Sequence, residues 1–243
     1  MAKEFYDISY KTYFNTRIKE VLFQGVETWP LYVQMTYDRK SIFFKSYYFD
    51  LFSQPKYDFL RMPLSQVEEL ERRVLDFIIA EGGTNFNLTM ASVKYKNYCL
   101  DVLDLCEPKF KSWLVSYFKE ENLAGLAAMV EQAKDRVVGI HLWDDLKKTM
   151  DAGSFLRMEK RAMSFGGSYL PLATYIIRQY PKGPFCLPIH EWYENKNRKK
   201  MESAMGESFQ WVSMTQISHA ADTEYAKKNL LAGVLKPGDK KLL

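Results

Sequence analysis

Side chains alternate in character along residues 31–48, and this period of two constrains the fold more tightly than anything else in the chain. Leu31, Val33, Met35 and Tyr37 alternate with Tyr32, Gln34 and Thr36, and Ile42, Phe44 and Tyr48 alternate with Lys45 and Tyr47. A strand repeats its side-chain direction every second residue, so the pattern marks a sheet with one buried face and one wet face. Asp38, Arg39 and Lys40 fall where the hairpin must turn, with no Asn-Gly or Asp-Gly pair to dictate the turn type. Residues 13–23 supply a third expected strand, with Arg17 and Lys19 on one face and Ile18 and Leu22 on the other.

Beyond residue 60 the period becomes helical. Val67, Leu70, Val74, Phe77 and Ile78 form an apolar stripe, Ser65 and Glu68 read as a capping box, and Gly82-Gly83 as a stop. Further helices are expected over 89–106, ending before Pro108, and over 110–119, 123–133 and 137–150. Residues 168–180 are apolar, but Pro171 interrupts them and Pro181, Pro184 and Pro188 follow, which predicts extended or turning chain. A helix with a charged middle is expected over 189–205, a strand over 209–217 and an extended tail over 230–243. The fold class is therefore α+β, a small N-terminal three-stranded antiparallel sheet followed by a mainly helical domain. The composition shift between Pro55 and Pro63 divides a β-rich module, 1–62, from a helical domain, 63–243, with an irregular segment near 168–188.

No motif of catalysis, cofactor binding or metal ligation emerges, and the chain is not expected to be an enzyme. His190-Glu191 opens like a zinc-protease helix, but position 194 is Glu, so the second histidine ligand is missing and the pair reads as a surface helix start. Asp101 with Asp104, and Asp144 with Asp145, could hold a cation or act as acid and base, although solvated helix faces carry such pairs routinely. Gly166-Gly167-Ser168 lacks the lysine of a phosphate loop and reads as a helix stop. Three cysteines (Cys99, Cys106, Cys186) without C-x-x-C spacing point to buried or incidental thiols in a reducing compartment. No apolar run approaches the length of a membrane span, which leaves the virion or the host cytoplasm as the expected location.

The hairpin and its flanks resemble the N-terminal arm-type DNA-binding domain of Bacteroidetes-type phage and transposon tyrosine integrases. Pro30, Leu31, Tyr32, Val33, Arg39, Lys40, Phe43 and Phe44 match that domain's arrangement of strand, basic turn and aromatic strand, over roughly residues 12–60. Asp38-Arg39 stands where the family usually has Gly in the turn, and Tyr47-Tyr48 where it has Thr-Gly. None of His141, His190 and His219 is followed three residues later by Arg, so the recombinase chemistry of the full family is not implied.

The resemblance implies a phage or mobile-element setting and leaves two roles open. The aromatic share of 15% suits broad contact surfaces, and a net charge of +4 is thin for a committed nucleic-acid binder. These features favour a non-catalytic structural or assembly protein of a bacteriophage particle, of connector or tail-ring type. It would form a homo-oligomer or join other virion subunits. The alternative is an accessory protein binding double-stranded DNA through the N-terminal sheet. Arg17, Lys19, Arg39, Lys40 and Lys45 would then neutralise phosphates, with Tyr32, Gln34 and Tyr47 near base edges or sugars. The run 195–200, NKNRKK, is a second basic cluster and reads as a wet helix face.

Overall fold

The computed structural model describes residues 7–231. The chain opens with β1 (Ser9–Phe14), then a small hairpin of β2 (Val21–Phe23) and β3 (Val26–Thr28), then the long hairpin of β4 (Leu31–Tyr37) and β5 (Lys40–Lys45). The sheet order is β1-β4-β5, antiparallel throughout, with β2 and β3 paired separately. Asp38 and Arg39 both have positive φ (+49° and +59°), the geometry that matches a tight turn to strand twist. The hairpin thus forms where the alternation placed it, without glycine.

Both neighbouring strand expectations need correcting. The third strand ends at Phe14, before Arg17 and Lys19, because Asn15 turns the chain: its side chain accepts from the Arg17 N–H at 3.1 Å. The second strand stops at Lys45. Ser46 caps α1 (Tyr47–Phe52), its hydroxyl accepting from the Phe49 N–H at 3.0 Å, so Tyr47 and Tyr48 belong to a helix.

A 3-10 helix (Pro55–Leu60) leads into α2 (Leu64–Gly82), which buries Val67, Leu70, Val74 and Ile78. The predicted capping box does not form. Pro63 occupies the N-cap position, and Glu68 accepts instead from the Thr12 hydroxyl at 3.0 Å. Gly83, at φ +45°, ends the helix as expected. The single helix read over 89–106 is two: α3 (Leu88–Tyr98) and α4 (Val102–Glu120), which continues through Pro108. Asp101 separates them, accepting from the Leu103 N–H at 3.1 Å and the Leu187 N–H at 2.9 Å.

Next come α5 (Ala124–Ala133), α6 (Gly139–Thr149) and α7 (Ala152–Phe165), closed by Gly166. The apolar, proline-interrupted segment forms a regular helix, α8 (Tyr169–Gln179). Pro171 lies in its first turn, where a backbone N–H has no partner within the helix, and only 180–188 is irregular. Two short helices follow, α9 (Ile189–Tyr193) and α10 (Asn195–Met205). The strand expected over 209–217 is absent. A 3-10 helix (Gly206–Trp211) and the start of α11 (Met214–Leu231) take its place, with the Ser213 hydroxyl accepting from the Gln216 N–H at 3.3 Å. Of the expected extended tail, 230–231 belong to α11 and the remainder lies outside the described residues.

One apolar core runs through the sheet and the helices. Leu31, Val33 and Met35 of β4 join Phe49 and Phe52 of α1 and Leu70 and Val74 of α2, and the same cluster continues through Phe110 and Leu114 of α4 to Leu172, Ile176 and Trp192. Each such side chain stabilises the fold by about 1.5 to 3 kcal/mol when fully buried. The shift at Pro55–Pro63 therefore marks a change of secondary structure within a continuous core. Among the described residues no helix is long and apolar enough to cross a membrane.

Candidate nucleic-acid interface

The inner face of the sheet is committed to the helices. Tyr10 donates to Asp76 of α2 at 2.6 Å, the Phe44 ring lies 4.1 Å from that of Tyr95, and Leu31, Val33 and Met35 are fully buried. Because direction alternates along each strand, the intervening residues must face out. The strand register arranges them in three rows: Ser9, Thr36 and Ser41; Lys11, Gln34 and Phe43; Tyr13, Tyr32 and Lys45. Ser41 anchors the first row to the second, within 2.8 Å of the Thr36 hydroxyl and accepting from Gln34 Nε2 at 3.3 Å. The Tyr13 and Tyr32 rings lie side by side with centroids 6.2 Å apart, and Phe43 is 58% exposed.

Basic side chains border the second and third rows of this grid. The three strands contain Lys11, Lys40 and Lys45 and no carboxylate. Arg17, in the loop after β1, borders Lys11, Tyr13, Gln34 and Phe43 around a shallow concavity of about 420 Å³. Lys45 pairs with Asp50 at 2.6 Å, both about half exposed, so solvent screens that attraction. Lys11, Arg17 and Lys45 are thus interleaved with Tyr13, Tyr32 and Phe43.

Only part of the expected DNA-contact set converges there. Lys45, Tyr32 and Gln34 lie on the outer face and Arg17 adjoins it. Arg39 sits in the turn at the opposite end, and Lys40 is in register with Tyr37, which packs on Phe86 on the inner side. Lys19 lies in the loop before β2. Tyr47 is in α1, its ring edge-on to Tyr48 at 5.3 Å, and takes no part in the face. Lys11 falls outside the expected third strand, which begins at Tyr13, whereas the observed strand is Ser9–Phe14. The signal for Lys11 is present in 9–14, where Ser, Lys and Tyr alternate with Tyr, Thr and Phe.

Other singled-out residues turn out to be internal. Asp101 is buried, not on a solvated face, and burial followed by repulsion from Asp104 pushes its carboxyl up to about 7. The Lys56 ammonium holds Asp104 and lies 3.6 Å from Glu107. Lys111 donates to Glu107 at 2.5 Å and to the Lys134 and Val137 carbonyls at 2.6 and 2.5 Å. Lysine side chains thus fill the places a cation would take beside these carboxylates. Among the described residues no group of three or more His, Cys, Asp or Glu is placed to hold a metal.

His190 and Glu191 are also buried, against the expectation of a surface helix start. Glu191 pairs with Arg73, the imidazole centroid lies 4.9 Å from that of Phe77, and burial pushes His190 down to about 4. Asp144 and Asp145 are exposed, and Asp145 pairs with Lys148 at 3.2 Å.

The grid is held by one buried acid. Glu71 of α2 receives hydrogen bonds from the Ser46 hydroxyl at 2.6 Å, the Tyr48 N–H at 3.2 Å and the Tyr95 hydroxyl at 2.7 Å, while the Tyr47 N–H donates to Tyr95 Oη at 2.9 Å. Burial pushes Glu71 up to about 7, with these bonds opposing. The segment leaving β5 is thereby tied to α2 and α3 directly behind Lys45.

Comparison of the chain with protein-family models, with curated proteins and with solved structures gives no match.

Proposed function

We propose that this protein binds nucleic acid through the outer face of its three-stranded sheet, in the accessory role that its resemblance to a phage or mobile-element arm domain implies. The observation that carries the reading is the interleaving of Lys11, Arg17 and Lys45 with Tyr13, Tyr32 and Phe43 on strands that contain no carboxylate. Phosphate neutralisation supplies sequence-independent affinity, and polar and ring contacts from the same face position the bases. The test is binding as a function of salt, using the full chain and the combined Lys11→Ala, Arg17→Ala and Lys45→Ala variant. Affinity should fall, and the slope of log affinity against log salt should flatten by about two to three, near 0.7 to 0.9 per lost phosphate contact. An unchanged slope would remove this face from consideration.

A second reading is favoured by the β2–β3 hairpin, where Leu22 and Val26 are 61% and 65% exposed, with Ile18 and Trp29 also open to solvent nearby. Apolar groups clustered in this way suit contact with a neighbouring subunit. They support a structural or assembly protein of a bacteriophage particle, joining other virion subunits or copies of itself. Native mass at low and moderate salt separates the two. A ring-sized assembly that forms without nucleic acid supports the assembly role, and a small species that shifts only with nucleic acid supports binding.

A further inference from the structure

The outer face offers rings where a reader of duplex DNA would offer hydrogen bonds. In a duplex the base faces are covered and only their edges reach the groove, where Arg, Lys, Asn, Gln, Asp and Glu match their donors and acceptors. The second and third rows of this face present three rings, two lysines, of which Lys45 is paired with Asp50, and a single amide. That amide, Gln34, already donates to Ser41. Phe43 has no polar atom to offer an edge, yet it is 58% exposed in the middle row. A ring so placed gains most from lying flat on another π face.

Row spacing points the same way. Rows two residues apart on a strand are separated by about 7 Å, twice the roughly 3.4 Å step between stacked bases. Bases seated on Phe43 and on the Tyr13–Tyr32 row therefore cannot be consecutive members of an intact duplex stack. They must be splayed, each on its own ring, with the backbone between them within reach of Lys11, Arg17 and Lys45.

We infer that the nucleic acid this face takes is single-stranded, with Tyr13, Tyr32 and Phe43 stacking on two or three unpaired bases and Lys11, Arg17 and Lys45 meeting the intervening phosphates. This rests on the nucleic-acid reading above and names its ligand class. Nothing on the face distinguishes ribose from deoxyribose, so an unpaired strand is the shared chemistry. The strands' lack of carboxylates is the complement to its phosphates.

The experiment compares three fluorescent probes of about twelve nucleotides: oligothymidylate, oligouridylate and a mixed-sequence DNA duplex. Fluorescence anisotropy is read with wild-type chain and with Phe43→Ala, Phe43→Tyr and Tyr32→Ala, each checked for an unchanged thermal melt. The expected result is tighter binding of one or both single strands than of the duplex. Phe43→Ala and Tyr32→Ala should each weaken single-strand binding by about 5- to 100-fold without altering its salt slope, and Phe43→Tyr should retain it. The ratio of the oligothymidylate and oligouridylate affinities tells DNA from RNA. Duplex binding at least as tight as single-strand binding, or a neutral Phe43→Ala, would overturn the inference and leave the nucleic-acid reading standing. Failure of all three probes to bind, or a native dimer that Phe43→Ala dissolves, would overturn both.

Discussion

On the outer face of the sheet, Lys11 and Arg17 carry their charge into solvent without an ion-pair partner among the described residues. Against the first half of α4, Lys56 of the preceding 3-10 helix and Lys111 of α4 itself are engaged by Asp104, Glu107 and two backbone carbonyls. Basic side chains stand in both places. The difference lies in what surrounds them: Lys111 and Glu107 are almost fully buried, so each charge needs an internal partner, whereas Lys11 and Arg17 stand in water and need none. Partnering, more than the mere presence of basic residues, separates a structural charge from one available for binding. By that criterion Asp104 and Glu107, held by Lys56 and Lys111, are structural charges.

The sharpest way to break this contrast is to remove Lys111. Lys111→Met should cost about 3 to 5 kcal/mol of unfolding free energy in urea, because Glu107 would remain buried with its main partner gone. Adding Glu107→Leu should restore most of the loss. A single variant within about 1 kcal/mol of wild type would show this pair to be wet.

A smaller effect is expected from pH. Asp101 and Glu71 both titrate near 7 in the folded chain, raised from ordinary values of 3.8 and 4.5. The stability they contribute is full below about pH 4 and is lost as pH rises through about 7, since the unfolded chain releases those protons first. His190, lowered to about 4, acts in the opposite sense: its contribution is full above about pH 6.5 and is lost as pH falls towards 4. Asp101→Asn keeps the acceptor for Leu103 and Leu187 and removes one titration. Its stability relative to wild type should rise by about 2 to 4 kcal/mol between pH 4.5 and pH 8 in urea melts. A constant gap would place the Asp101 carboxyl in contact with water.

The smallest expected effect is the most diagnostic of the sheet face. The triple Lys11→Ala, Arg17→Ala and Lys45→Ala variant should unfold within about 0.5 kcal/mol of wild type, because exposed charges contribute little to folding. A larger loss would mean that these residues support the sheet and would weaken the distinction drawn between the two regions.

The general plan, sheet first and helices after, was legible because the period of two and the helical stripe are local properties of the chain. The β4–β5 hairpin could be read for the same reason. The partner of β4 on its other side could not. Residues 9–14 and 21–23 are equally strand-like, and only the turn at Asn15 and the pairing with β4 decide between them. Aromatic propensity drew the second strand on through Tyr47 and Tyr48, but the cap at Ser46 overrode it. The same limit applied to the site. Arg39, Lys40 and Lys45 are neighbours in sequence, yet register sends them to different ends and faces of the sheet, while Lys11 and Phe43 become neighbours of Gln34. Asp101 and His190 looked exposed because burial depends on packing across elements distant in sequence.

The Glu71 cluster has a consequence for timing. By fastening Ser46, Tyr48 and Tyr95 behind β5, it pins the end of that strand, so that on the proposed reading a strand of nucleotides would meet a face with little left to order. Encounter would then proceed at a rate set by diffusion and by the long reach of Lys11 and Arg17. Preferences among bases would be expressed afterwards, in how long each complex persists before the strand lets go.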